Sequence, residues 1–399
     1  SFTGAGKDIL DTMGTMLDSD IGGCIGADGN FNPDLFTGGL LNKLGAQINN
    51  LAGMPASVLQ DIINDLNAFT TDINNLIEFE NNFANYLGAN HCIGVANGLD
   101  ALTMSLKSLK LPKNSEVLVA SNSYVACILS ILNAGLKPVL IEPNLETYNI
   151  DPNQIKKKIT KKTRAVLAVH LYGKSCEMDE IIKICKKNDL YLLEDCAQSH
   201  GSKYKNKSTG TFGDFGCFSF YPTKILGGIG DGGAITCKKK KYKEYLLKFR
   251  NYGSITRYKN EIIGQNSRLD EIQALFLNIK LKHLNKIIQH KRELAKIYFE
   301  NLSNRFILPK VESYKKDTFY IFNVRHPERD KLKAYLEKKN IMSDIHYPIP
   351  PYKQKALKKM FNGSFPISDE IHNTTLSLPI SFAHTKEQIY EVTKVMNKF

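Results

Sequence analysis

The residues best placed to do chemistry are Lys224 and the paired carboxylates Glu194 and Asp195. Lys224 lies between an apolar and aromatic run, Phe215 to Tyr221, and a glycine-dense loop over 227–234 that can be neither regular helix nor regular strand. Upstream, YLLED (191–195) reads as a short buried strand bringing its two carboxylates to its C-terminal end, where open α/β sheets bind their ligands. An amine among apolar groups is a nucleophile toward carbonyls, and an aspartate at a strand end suits a pyridinium nitrogen. Pyridoxal 5'-phosphate (PLP) is the simplest cofactor for that pair. Read locally, a surface lysine in a turn explains Lys224 equally well.

A third feature is the turn Asn97-Gly98, between the strand-like HCIGV and a helical pattern. The N–H groups of Gly98 and Leu99, on the first turn of that helix, would face an anion with the helix dipole behind them. A plain strand-to-helix turn reads the same way.

The elements that must carry these residues alternate along the chain. EVLVA (116–120), KPVLIE (137–142), RAVLAVHLY (164–172), YLLED, FGCFSF and GGAITC have strand character. Helical patterns fall at 77–88, 98–110, 122–133, near Asp151 and at 178–187. The expected fold is α/β, a mostly parallel sheet sandwiched by helices. Beyond about residue 240 helices dominate through Leu302, and a smaller α+β lobe follows, with DTFYIFNVRH (317–326) as a strand and helices at 331–339 and 386–399. The large domain is expected over 77–265, and a helical connection with the small C-terminal domain over 266–399.

Composition narrows the function classes. The net charge of +13 concentrates in IKKKITKKTR and CKKKKYKEYLLK, beside expected surface helices and without an interleaved aromatic or zinc-finger pattern, so no nucleic-acid partner is expected. The basic balance favours a polyanionic small substrate. Eight cysteines form no C-x-x-C pair, several sit in apolar runs, and no apolar run approaches the roughly 20 residues of a membrane helix. The expectation is a cytoplasmic protein with reduced core cysteines, no metal site and no membrane association. Residues 1–76 differ from the rest: two lysines, nine aspartates and no glutamate give −7, leaving +20 for the remainder. This acidic Gly/Asn-rich segment, with helical periodicity at 9–17 and 58–76, reads as an appended module or a replaced arm.

From about residue 77 onward the chain resembles the DegT/DnrJ/StrS family of PLP-dependent sugar aminotransferases. Seven ordered motifs carry the resemblance: VANGLDAL, SNSYVACILSILNAG, VHLYG, LLEDCAQSHG, FSFYPTKILGGIGDGGAI, RNYGS and NSRLDEIQA. It implies the fold of the PLP fold-type I aminotransferases. Lys224 would bind PLP covalently and shuttle a proton, and Asp195 would keep the pyridine nitrogen protonated. Gln198 would reach the phenolic oxygen, Tyr124 would stack on the ring, and Gly98, Leu99 and Ser219 would hold the phosphate. Asn251 would reach the phosphate of the neighbouring subunit's cofactor, which implies a homodimer with shared active sites. Asn266, Arg268, His346 and Tyr347 match motifs near the substrate.

The resemblance is greatest to the branch acting on dTDP-linked 3-keto-6-deoxyhexoses with glutamate as amino donor, in deoxyamino sugar biosynthesis. Amination at C4 is the alternative within the family. A sugar dehydratase of the same family would carry histidine in place of Lys224. A different class of reading is an assembly protein carrying an enzyme-like domain on the N-terminal segment. The family's glycine-containing arm, which lines the sugar site, is not recognisable in residues 1–76.

Overall fold

A computed structural model describes residues 75–399. The helical periodicity at 9–17, and most of that at 58–76, lies outside the described residues.

The chain enters on helix α1, Asn75–Leu87. Its apolar face is spaced at three and four residues and buries Phe79, Phe83, Ala84 and Leu87. Gly88 ends the helix at φ +73, a left-handed backbone that glycine adopts without penalty. Strands β1 (His91–Val95), β2 (Glu116–Ala120), β3 (Lys137–Ile141), β4 (Thr163–Val169), β5 (Tyr191–Asp195), β6 (Phe215–Ser219) and β7 (Gly233–Cys237) then form one sheet in the order β1-β7-β6-β5-β4-β2-β3. Only β7 runs against its neighbours, pairing antiparallel with both β1 and β6, while β6, β5, β4, β2 and β3 pair in parallel. Covered on both faces, β2 and β4 read as continuous apolar runs rather than alternating ones. The covering helices are α2 (Gly98–Ser108), α3 (Val125–Asn133), α4 (Pro152–Lys158), α5 (Met178–Lys187) and α6 (Lys240–Phe249). The seven cysteines among the described residues are all free and buried.

Helix α7, Glu271–Asn301, runs from the sheet-side core to a second core. There Leu294 and Tyr298 pack with Phe322 and Val324 of β8 (Phe322–Arg325), Leu332 of α8 (Arg329–Lys338), Leu376 of β9 (Thr375–Leu378) and Ile389 of α10 (Lys386–Met396). Helix α9, Pro366–Thr374, leads into β9, which pairs antiparallel with β8.

Two expectations change. Helices were expected to dominate from about residue 240 through Leu302, but residues 250–270, between Lys240–Phe249 and Glu271–Asn301, contain none. The strand expected over 317–326 is regular only at Phe322–Arg325. Its first part is diverted: Phe319 sits at φ +48, and the Thr318 N–H donates to the Gly173 carbonyl at 3.0 Å instead of to a strand neighbour.

Under β6 lies an aromatic cluster in which the Phe83 ring lies 5.5, 4.9 and 5.4 Å from those of Phe79, Phe218 and Phe220. Phe83 is fully buried. Phe83→Ala is expected to cost about 3–5 kcal/mol in chemical denaturation, through lost transfer energy and a cavity. Met342→Ala, at an exposed side chain, should stay within about 0.5 kcal/mol.

Candidate active site

At the C-terminal ends of β4, β5 and β6 is a cavity of about 540 Å³. Of the twelve residues singled out from sequence, nine line it: Gly98, Leu99, Tyr124, Asp195, Gln198, Ser219, Lys224, His346 and Tyr347. Asn251, Asn266 and Arg268 do not.

Lys224 is carried on a tight turn after β6, in which its own N–H donates to the Tyr221 carbonyl at 2.8 Å and the Gly228 N–H to Phe220 at 2.8 Å. A Cβ on Gly227 would lie 2.4 Å from the Pro222 carbonyl oxygen, so no other residue fits there without moving the backbone. The following loop leans on α7. Gln273 Oε1 accepts the Ile229 N–H at 3.0 Å, and Lys280 Nζ, two turns further along the same face, donates to the Gly227 carbonyl at 2.5 Å. Burial pushes the Lys280 amine down to about 8.

Asp195 ends β5 with 7% of its surface exposed. Its Oδ1 accepts the Ala197 N–H at 3.0 Å and its Oδ2 the Cys127 thiol at 3.1 Å. Each oxygen keeps a lone pair for a further donor. Gln198 is fixed in orientation, its Oε1 accepting the Tyr172 N–H at 2.7 Å and its Nε2 donating to the Tyr347 hydroxyl at 2.9 Å. Tyr124 stands immediately before α3, half exposed, with its ring 5.0 Å from that of Tyr347. Burial raises the Tyr347 phenol well above its ordinary value and lowers the His346 imidazole. His346 Nδ1 is 2.9 Å from Ser377 Oγ.

The third wall is the start of α2. Asn97 caps it by accepting the Asp100 N–H at 2.8 Å, and Gly98 and Leu99, on the first turn, where N–H groups have no partner within a helix, line the cavity. A Cβ on Gly98 would lie 2.7 Å from Ser219 Cβ, so the helix start and the end of β6 meet as closely as glycine allows.

Asn251 and Asn266 form an isolated antiparallel bridge, and Arg268 Nη1 donates to Asn251 Oδ1 at 3.2 Å. Around them Tyr252, Ile255, Tyr258 and Ile263 are exposed. Sequence reasoning missed Tyr320, whose ring lies against the Lys224 amine, and Cys127. Cys127 follows Tyr124 by three residues, one helical turn, and that spacing was a usable signal. Tyr320 lies in a segment read as an ordinary strand and gave none.

The architecture and the lysine–aspartate cavity are those of a fold-type I aminotransferase. Over residues 58–397 the chain matches the DegT/DnrJ/EryC1/StrS aminotransferase family, and it belongs to that family. The match begins inside the segment that composition set apart. The chain is 49% identical over 323 residues, 81% of its length and 89% of the relative's, to a dTDP-3-amino-3,6-dideoxy-alpha-D-galactopyranose transaminase of Aneurinibacillus thermoaerophilus. It is 37% identical over 306 residues, 76% of its length and 81% of the relative's, to a dTDP-3-amino-3,4,6-trideoxy-alpha-D-glucose transaminase of Streptomyces venezuelae. Among solved structures, S. venezuelae DesV in complex with a ketimine intermediate superposes with a TM-score of 0.82 at 33% identity, covering 90% of this chain and 96% of that one. NtdA of Bacillus subtilis with bound cofactor PMP gives 0.80 at 26% identity, covering 87% and 83%.

Behind the Lys224 turn, His200 is fully buried, its ring 5.7 and 5.8 Å from those of Phe218 and Phe220. Burial, helped by the charges of Lys224 and Lys280, pushes its imidazole down to about 3 from 6.5. The folded chain therefore refuses a proton that the unfolded chain accepts, and stability falls as pH drops from about 6.5 toward 3. His200→Leu should flatten that part of the stability profile, measured by denaturation at pH 4 and pH 7.

Proposed function

We propose that the protein is a PLP-dependent transaminase moving an amino group from glutamate to the C3 ketone of a dTDP-linked 6-deoxyhexose. The observation that carries the reading is one cavity in which a lysine amine, a buried carboxylate and a capped helix N-terminus face a common space. The residues fit the cofactor. Asp195 has lone pairs free to receive a ring N–H, and the Gly98–Ser219 approach builds a cup of backbone N–H groups and a hydroxyl for the phosphate. PLP, when bound there, supplies an electron sink that makes the proton on the amino-bearing carbon labile.

The chain's own residues supply the rest. Lys224 would bind the cofactor through its amine and move the proton at that carbon. Asp195, pinned by two donors, would hold the ring nitrogen's proton without turning away. Gln198 Nε2 keeps one N–H for the phenolic oxygen after serving Tyr347. Tyr124 offers an exposed ring face for stacking, and His346 and Tyr347, which also line the cavity, would contact the sugar. The names of the two dTDP-sugar relatives, both 3-amino products, support the substrate and the position of amination.

A homodimer with shared sites belongs to the same reading. Asn251, Asn266 and Arg268 lie outside their own cavity, beside exposed Tyr252, Ile255, Tyr258 and Ile263, an apolar group that a second copy would cover. From there they would serve the neighbour's cofactor and substrate. Among the described residues no helix is long and apolar enough to cross a membrane. The described cysteines are free and buried, as thiols in a reducing cytoplasm would be.

Absorption spectroscopy tests the proposal. Purified protein with PLP should show an imine band that glutamate bleaches and one dTDP-3-keto sugar restores. Lys224→Ala should lack the band and lose at least about 10³-fold in turnover. A native protein that forms no band would contradict the reading. Gly98→Val, which crowds the phosphate cup against Ser219, should weaken PLP binding by on the order of tenfold or more, read by equilibrium titration.

A further inference from the structure

Tyr320 is the aromatic ring that meets Lys224. The amine lies 4.7 Å from the ring centroid, and among the described residues it makes no hydrogen bond or ion pair. The ring is fixed at its far end, where the Tyr320 hydroxyl lies 3.3 Å from the hydroxyl of Thr223, the neighbour of Lys224. It is fixed at its near end by the backbone. The Thr318 N–H donates to Gly173, the Arg292 guanidinium to the Asp317 carbonyl at 2.8 Å, and Lys174 Nζ to Asp317 Oδ2 at 3.0 Å. Between these anchors Phe319 holds φ +48, a conformation unfavourable for a bulky residue and one that a regular strand would relieve. The segment is thus held off its strand path, and the residue delivered by that diversion is Tyr320. The ring packs against both sheet-side core clusters.

We propose that Tyr320 is a positioning residue for Lys224, its ring receiving the amine as a cation whenever the amine is not bonded to cofactor. A lysine side chain has many rotamers and, once released, would explore the cavity and the solvent beyond it. The face of a ring offers a cation a place to rest without the tight ion pair in which a carboxylate partner would hold it. The role in turnover rests on the PLP reading; the contact itself does not.

The test uses cofactor-free protein and is independent of PLP. Trace acetic anhydride, with peptide mass spectrometry, reads how fast the Lys224 amine is acylated at neutral pH. Because the amine seated on the ring is held away from the reagent, Tyr320→Leu should raise that rate by about two- to thirtyfold, and Tyr320→Phe, which keeps the ring face, should restore most of the native protection. Thermal melts of both variants separate a packing defect from loss of the seat, since a purely structural role would shift the melts without distinguishing Phe from Leu at Lys224. Acylation of Lys224 in Tyr320→Leu at the native rate, or equally fast in the Phe and Leu variants, would overturn the proposal. If native protein fails to bind PLP while the labelling pattern holds, the function falls and the contact stands.

Discussion

Everything at this site depends on two adjacent carboxylates pointing in opposite directions. Successive residues of a strand face opposite sides of the sheet, so Glu194 and Asp195 at the end of β5 serve different purposes. Glu194, with no exposed surface, is spent on structure: it accepts the N–H groups of Gly210, Phe212 and Gly213, each at 2.8 Å, and lies 3.0 Å from His170 Nε2. His170 Nδ1 accepts the Cys176 N–H at 3.1 Å, which leaves the ring's remaining proton for Glu194. One buried carboxylate thereby ties the end of β4, the end of β5 and the turn entering β6. Asp195, on the other face, is free to work in the cavity because its neighbour holds the walls in place.

The same division runs through the rest of the cavity. Lys224 is presented by a turn that only glycine at 227 permits, and that turn is propped by Gln273 and Lys280 from a helix reaching into the other core. Buried Lys291 on the same helix donates to the Ile380 carbonyl at 2.7 Å, and burial pushes its amine down to about 7. Helix α7 is therefore more than a connector. It carries the fit of the glycine loop on one stretch and the packing of the C-terminal elements on the next.

Much of this was legible in the sequence, for identifiable reasons. Parallel strands buried on both faces leave continuous apolar runs, so β2, β4 and β5 could be read directly. Lys224 and Asp195 stood out because a lysine among apolar residues and an acidic strand end both need an explanation. The strand expected at 317–326 failed in its first half because Asp317 and Thr318 bond to Gly173, Lys174 and Arg292, partners remote in sequence that no local pattern reveals. Tyr320 was lost with it. Asn251, Asn266 and Arg268 were found as a motif, but their place outside the chain's own cavity is a matter of tertiary geometry that spacing does not encode.

The central claim is that one lysine among many is the cofactor's attachment point, and reductive trapping tests it most directly. Protein incubated with PLP, reduced with borohydride and digested should carry the cofactor's mass on the peptide containing Lys224, with one equivalent per chain. Label spread over the surface lysines of 155–164 and 237–248, with the Lys224 peptide unmodified, would contradict the account.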